Sequence, residues 1–415
     1  MGNLKYQIDT DENRKFLADQ AKSLIAFGKE FPSPKGSSYW LGDDGRPWKD
    51  RDRETWITSR MTHVYSLGTM LGMDWCKPLA AKGLHGLMTE LHDQEHGGWY
   101  AGVHADGTPF GTKQCYAHAF VILAALSASQ AGIPEARDLL KLAEETYDKF
   151  FWDEKAGLAR DTWSMDFTKL DSYRGINANM HSVEAFLADA DVTGKELYRE
   201  RAGRVICHVI SWAKDNDWRI PEHYTSDWKP DLACNQDKPD DQFKPYGATP
   251  GHGIEWARLI TQWALSTFPK DQENQKPYLE AAENLYHRAV MDGWNADGEP
   301  GIVYTTDWNG KPVVHDRMHW TLAEAINTSS SLFHVTGRGE YAMDYAYFMT
   351  YLDDKVIDHV NGSWFHQLDQ SNKVIGTVWP GKSDLYHATQ AMLIPVYDPG
   401  ISIAKAVSSG NKYKN

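Results

Sequence analysis

One motif, repeated six times, constrains this chain more than any other feature. A histidine recurs at intervals of about 55–70 residues, in or at the start of an apolar, helix-favouring stretch. The copies are RMTHVYS with His63, QCYAHAF with His118, NANMHSVEAF with His181, TPGHGIEWARL with His252, DRMHWTLAEA with His319 and DLYHATQAML with His387. Upstream of each lies a short aromatic stretch punctuated by Gly or Asp: GSSYWLGDDGRP, GGWYAGVHADGTP, GLARDTWSMDFTKLD, WRIPEHYTSDWKP, GIVYTTDWNGKP and GSWFHQLDQSNKV. Alternating apolar and polar residues around a DG, NG or SD turn predict short hairpins.

Further upstream each copy has a longer amphipathic segment, at residues 11–29, 134–153, 195–215, 277–292 and 338–358, with 78–92 in the second copy. In 134–153, Leu139, Leu140, Leu142, Ala143, Tyr147 and Phe150 follow the 3.6-residue period of a helix. Pro134 suits a first turn, where a missing N–H costs nothing. Each unit therefore reads as outer helix, hairpin, inner helix. Helical hairpins with one apolar face must bury it on their neighbours, and closing the row into a ring leaves no open end. The expectation is an all-α chain: an (α/α)6 barrel of six helical hairpins, with short β-hairpins at the active-site end. No Pro/Gly linker divides it, so residues 1–415 are expected to form a single domain, although length alone would favour two or three at roughly 100–200 residues each.

Composition removes several classes of function. The net charge of −14 argues against nucleic acid and anionic membranes as partners. No apolar run is long enough to span a bilayer. The polar N-terminus lacks a secretory pattern, and Cys76, Cys115, Cys207 and Cys234 form no CxxC pair. A cytoplasmic protein with buried thiols is expected. Self-association as a homo-oligomer is not legible.

If the ring closes, the histidines converge at one end of its axis. A lone histidine on an apolar helix is more often core, the fate expected for His63 and open for His118 and His319. Three copies are richer. His181 and Glu184 stand at i and i+3, beside Asn177. His252 and Glu255 repeat that spacing, with Arg258 three residues on and Gly251 and Gly253 alongside. Trp379, Lys382, Asp384, His387 and Gln390 cluster in the last copy. A carboxylate fixes the tautomer of its histidine and raises its basicity, so such pairs suit proton transfer near neutral pH. Alternatively, the pairs only stabilise helix ends. HExxH, a Gly-rich phosphate loop, a Rossmann fingerprint and a GxSxG elbow are all missing, so neither metal nor organic cofactor is expected. Glu184, Glu255, Glu324 and Asp384 leave open a two-carboxylate glycoside hydrolase, although their histidine neighbours favour proton shuttling.

The runs TWITSRMTHVYS, NANMHSVEAF, GATPGHGIEWARL, MHWTLAEA and TVWPGKSDLYHATQA together resemble the N-acylglucosamine 2-epimerase superfamily. The likeness is closest to its bacterial aldose–ketose isomerase branch, which holds mannose and sulfoquinovose isomerases. It covers the chain from about Trp56 to Gln390. The resemblance implies a metal-independent (α/α)6 barrel acting on a free monosaccharide. His252 and His387 would be the acid–base pair between C1 and C2, and His181 would sit at the sugar ring and help open it. Arg60, Trp56, Tyr116, Asn177, Met180, Glu255, Trp320, Glu324 and Trp379 would contact or surround the substrate. The expected reaction interconverts D-mannose and D-fructose through a cis-enediol. A sulfonated sugar, with Arg60, Lys382, Gln367 and Gln370 as candidate anion ligands, a 2-epimerase and a non-catalytic sugar-binding barrel are the alternatives.

Overall fold

Twelve helices alternate between an inner and an outer ring in a computed structural model that describes residues 5–413. In chain order they are α1 (Asp11–Phe27), α2 (Thr55–Met70), α3 (Cys76–Met88), α4 (Cys115–Gln130), α5 (Ala136–Phe150), α6 (Ile176–Thr193), α7 (Glu196–Asp215), α8 (Pro250–Thr267), α9 (Gln272–Gly293), α10 (His319–Thr336), α11 (Gly339–Tyr351) and α12 (Tyr386–Leu393). The even-numbered helices pack in sequence, and α12 returns to α2 to close the ring. The odd-numbered helices pack outside them. A thirteenth helix, α13 (Ile403–Ser409), lies across one end against α2, α4 and α6. This is the expected (α/α)6 barrel.

The sequence explains which ring each helix joins. In α4, CYAHAFVILAALSASQ is apolar or small on every side, and nearly the whole helix is buried. Such a helix can only stand inside. In α5, Leu139, Leu140, Ala143 and Tyr147 are buried on one face while Arg137, Lys141 and Glu145 face outward, so it covers the ring.

The hairpins are short, mostly two-residue strands, and they do more than reverse the chain. The backbone just before each inner helix pairs with the hairpin of the next unit. Thr55 N–H donates to the Ala101 carbonyl (3.0 Å), Cys115 to Asp161 (2.8 Å), Ile176 to Glu222 (3.1 Å), Ala248 to Thr306 (3.0 Å) and His319 to His366 (3.1 Å). The sixth bond wraps around: Lys382 N–H donates to Leu41 of the first unit (2.9 Å). Orphan N–H groups at the helix starts are thereby satisfied between units. All six inner N-termini and all six hairpins gather at one end.

Buried cations brace this stitching. Lys113 donates to Asp93 (2.8 Å), Lys382 to Asp358 (2.6 Å) and Arg317 to Asp297 (2.6 Å). Asp93 and Asp358 also accept backbone N–H groups of their own turns.

Four expectations shift. The third outer helix starts at Ala136, after Glu135 in a left-handed conformation, so Pro134 precedes the helix rather than sitting in its first turn. The fifth outer helix starts at Gln272 rather than Pro277, because Asp271 caps it by accepting from Asn274 N–H. Pro277 lies inside the helix and costs one bond. The sixth ends at Tyr351 and continues as a wider π-type turn, Leu352–Val356. Of the thiols, Cys76 and Cys115 are buried, but Cys207 is exposed and Cys234 half-buried. No helix among the described residues is long and apolar enough to cross a membrane.

Asp93→Ala is expected to cost about 3–5 kcal/mol, because it strands the Lys113 ammonium, which is fully buried. Burial pushes the Asp93 carboxyl up, but Lys113 and the two turn N–H groups outweigh it and hold it well below the usual range. Its contribution is therefore complete above about pH 4 and lost as pH falls further. Chemical denaturation of both proteins at pH 7 and pH 3 checks this: the gap between them should narrow at acid pH.

Candidate active site

The stitched end of the barrel opens into a cleft of about 600 Å³. Trp56, Arg60, Tyr116, Asn177, His181, His252, Glu255, Trp320, Trp379 and His387, all singled out from sequence, line it. Asp384 lines it as well. Met180 does not; it is fully buried in the core. Glu324 is also fully buried and stands behind the wall rather than in it.

Position along the inner helix decides which of the six recurring histidines arrive here. His252, His319 and His387 lie in the first turn of α8, α10 and α12, and His181 in the second turn of α6. His63 is eight residues into α2, roughly 12 Å down the axis at 1.5 Å per residue. There it bonds Ser127 Oγ through Nδ1 (2.6 Å) and meets Gln390 (3.4 Å), as a core histidine does. His118 accepts from Trp99 N–H (3.1 Å) and is held by the Gln114 carbonyl (2.7 Å), away from the cleft. His319 is not a core residue but part of the cleft wall, beside His366 of the sixth hairpin.

Three of the cleft histidines stand on carboxylates. His252 Nδ1 lies 2.9 Å from Glu222 Oε2 and His387 Nδ1 3.1 Å from Glu324 Oε1. His181 Nδ1 approaches Glu184 Oε2 at 3.5 Å. Among the described residues, the Nε2 atom of each makes no hydrogen bond within the protein, and each ring borders the cleft. The i,i+3 spacing correctly pairs His181 with Glu184, but His252 turns away from Glu255 to Glu222. Glu255 instead meets Arg258 at 3.5 Å. Glu222 precedes His223 in the fourth hairpin, and its signal was a carboxylate inside the otherwise aromatic WRIPEHY.

The Trp320 ring neighbours both His252 and His387, at 5.0 Å and 5.9 Å. Gly251 permits this: a Cβ there would sit 2.7 Å from the Trp320 ring. Sequence reasoning also passed over Gln242, Phe243 and Pro245, from the long loop before α8, and Tyr304 and His366 from hairpins. Aromatic or amide residues in loops carry no periodic signal. Lys382 and Gln367, candidate anion ligands, are spent elsewhere: Lys382 on Asp358, Gln367 on Asp316, Thr377 and the Val378 and Trp379 N–H groups. Gln370 does not line the cleft.

Burial sets the charge states. His181 drops to about 4 through burial, opposed by Glu184 and assisted by the Arg60 charge. His387 falls well below its ordinary value, through burial and then Arg60. Glu255 rises well above the carboxylate range through burial and the Glu324 charge. Arg258 donates to Glu324 (2.8 Å) and Arg60 to Asp384 (3.2 Å) and the Tyr116 hydroxyl (2.7 Å). Among the described residues, one group, His181, Glu184 and Glu255, has ligand atoms close enough to hold a metal ion. Glu184 accepts from Tyr386 and Gln390 and Glu255 Oε1 faces the Arg258 cation, while Glu255 Oε2 and His181 Nδ1 are buried without a hydrogen-bond partner.

Fold and cleft define a class: an (α/α)6 barrel with histidine–carboxylate pairs around a cleft at the N-terminal ends of its inner helices. The family profile for N-acylglucosamine 2-epimerase (GlcNAc 2-epimerase) matches residues 36–391, and the chain belongs to that family. It is 40% identical over 397 residues to a D-mannose isomerase of Pseudomonas cannabina pv. alisalensis, covering 95% of both chains. It is 39% identical over 402 residues to a D-mannose isomerase of Thermobifida fusca, covering 96% of this chain and 97% of that one. A crystal structure of D-mannose isomerase superposes with a TM-score of 0.85 at 27% identity, over 92% of this chain and 97% of the other.

Arg258→Met should destabilise the protein by about 3–5 kcal/mol, since it leaves buried Glu324 and Glu255 without their cation. Thermal unfolding measures it, and a melting temperature within a degree of the parent would contradict this account of the charge balance.

Proposed function

We propose that the protein interconverts D-mannose and D-fructose by metal-independent proton transfer. The observation that carries this reading is that His252 and His387, each anchored at Nδ1 by its own carboxylate, border one cleft with Nε2 free of protein partners and both pack near the Trp320 ring. Its similarity to D-mannose isomerases over nearly the full chain supports it.

The chemistry needs a base for the C2 proton and a donor and acceptor for O1 and O2. One of the two histidines takes the proton from C2 of the opened sugar, giving a cis-enediol. The other moves a proton between the two oxygens. Return of a carbon-bound proton to C1 leaves a carbonyl at C2, the ketose. Anchoring at Nδ1 fixes the tautomer and offsets the charge of the imidazolium formed in passing. Arg60 stands on the same wall with its Nε unpartnered, and its charge stabilises oxyanion build-up on the enediol. His181, held neutral, assists ring opening. Arg258 supplies the positive charge within the carboxylate cluster, so the steps call for no bound cation. We also place the protein in the cytoplasm, in line with four unpaired thiols.

Incubation with D-mannose in D2O plus a chelator, followed by NMR, tests the reading. Fructose should appear with deuterium incorporated. Glucose instead would make the protein a 2-epimerase, and no product under any metal condition would remove mannose as substrate. His252→Ala and His387→Ala should each cost about 10²–10⁴-fold in kcat, and near-parental turnover by either would overturn its role. Glu222→Gln should cost at least about tenfold by freeing the His252 tautomer. Because His387 and His181 act neutral and titrate below 6.5, the acid limb they set in kcat/KM should lie below that pH. A limb centred at or above 6.5 would contradict their assignment.

A further inference from the structure

Arg60 is the cation among the residues that line the cleft, and hydrogen bonds are only part of what holds it. Nη1 donates to Asp384 (3.2 Å) and Nη2 to the Tyr116 hydroxyl (2.7 Å), while Nε has no hydrogen-bond partner. An aromatic cage completes the hold. Arg60 Cζ lies over the rings of Phe120 at 4.3 Å, Tyr386 at 4.7 Å, Trp56 at 5.0 Å and Tyr116 at 5.6 Å. Trp56 and Tyr116 line the cleft, whereas Phe120 and Tyr386 do not and are fully buried.

Phe120 makes the closest of these contacts and reaches furthest. Its ring is 4.6 Å from His181, 5.0 Å from Tyr116 and 5.3 Å from Tyr386. Tyr116 and Phe120 stand four residues apart on α4, so one helix face presents both rings to Arg60. α4 packs between α2, which carries Arg60, and α6, which carries His181. One side chain therefore touches a cation on one neighbouring helix and an imidazole on the other.

A buried phenylalanine on an apolar inner helix is ordinarily core packing. Here, however, it packs against a charge. A cation over an aromatic face is attracted by the ring quadrupole, and most strongly where water is excluded. The place of that charge matters to the chemistry. After burial, Arg60 is the next influence that lowers His387, and it also lowers His181, behind burial and the opposing Glu184 contact. A charge that stabilises an oxyanion works only if it is already in position when the oxyanion forms.

We infer that Phe120 is a positioning residue: set behind the cleft wall, its ring face holds the Arg60 guanidinium where negative charge builds up on the enediol. The inference rests on the isomerase reading and deepens its account of Arg60.

The test changes the charge of the ring while nearly keeping its shape. Mono-, di- and trifluorinated phenylalanines are placed at position 120 of the full-length protein, because fluorine draws electron density off the face that attracts a cation. Turnover of D-mannose is measured along this series in the parent and in Arg60→Met, with Phe120→Leu as the end point. In the parent, kcat should fall stepwise by about 3- to 30-fold in all, with KM moving less than about threefold. Phe120→Leu should cost at least as much. In Arg60→Met the steps should vanish, since a residue that acts through Arg60 has nothing left to position. If kcat is flat along the series, or falls equally in both backgrounds, Phe120 is core packing: this inference falls and the isomerase reading stands. If circular dichroism shows that Arg60→Met does not fold, the parent series and its split between kcat and KM decide. A parent that converts no mannose removes the isomerase reading and this inference with it.

Discussion

Two arginines are buried among four carboxylates on the axis of this barrel, and the site follows from how that charge is balanced. Arg258 holds Glu324 and faces Glu255; Arg60 holds Asp384. Removing such groups from water is costly unless each finds a partner. Pairing uses up some oxygens and leaves others for imidazoles: Glu324 offers one to Arg258 and the other to His387. Glu184 is divided among Tyr386, Gln390 and His181. The buried network thus fixes ring orientations before any ligand arrives, the pre-organisation that proton transfer requires.

The repeat made the barrel legible from sequence, because a period of helix, hairpin and helix has few closed solutions. Inner and outer helices separated by their apolar pattern, as α4 and α5 illustrate. Residues on inner helices could be placed in the cleft from their distance to the helix start. What escaped were contacts between elements far apart in sequence. Glu222 sits in one unit's hairpin and serves a histidine on the following helix, 30 residues on. The i,i+3 rule offered Glu255 in its place. That rule describes the surface of an isolated helix, whereas a buried helix has closer partners across the ring. Met180 illustrates the converse: its segment matched a motif, yet the side chain points into the core. His319 was left undecided because helical pattern cannot say whether a mouth residue faces a neighbour or the cavity.

Related barrels that superpose on this one at low identity include a cellobiose 2-epimerase from Spirochaeta thermophila, at a TM-score of 0.78 and 19% identity over 92% of this chain and 95% of that one. That likeness shows the fold. The scaffold holds its shape through apolar inner helices and inter-unit backbone bonds, neither of which specifies the cleft. Loops and hairpins, which supply Gln242, Phe243, Tyr304 and His366 here, are free to vary around it.

The stitching of each unit to the next has a consequence for topology. Since the bond from Lys382 to Leu41 joins the sixth unit to the first as the others are joined, no unit is privileged as the beginning. The two ends of the described chain lie near each other: Tyr413 bonds the Val396 carbonyl, and the charge of Asp9 reaches its phenol. In three dimensions the polypeptide is a closed circle cut at one place. Circular permutants that link residue 413 back to residue 5 and open the chain in another outer connection would keep every inter-unit bond, and the histidines would still meet, although their order along the chain would change.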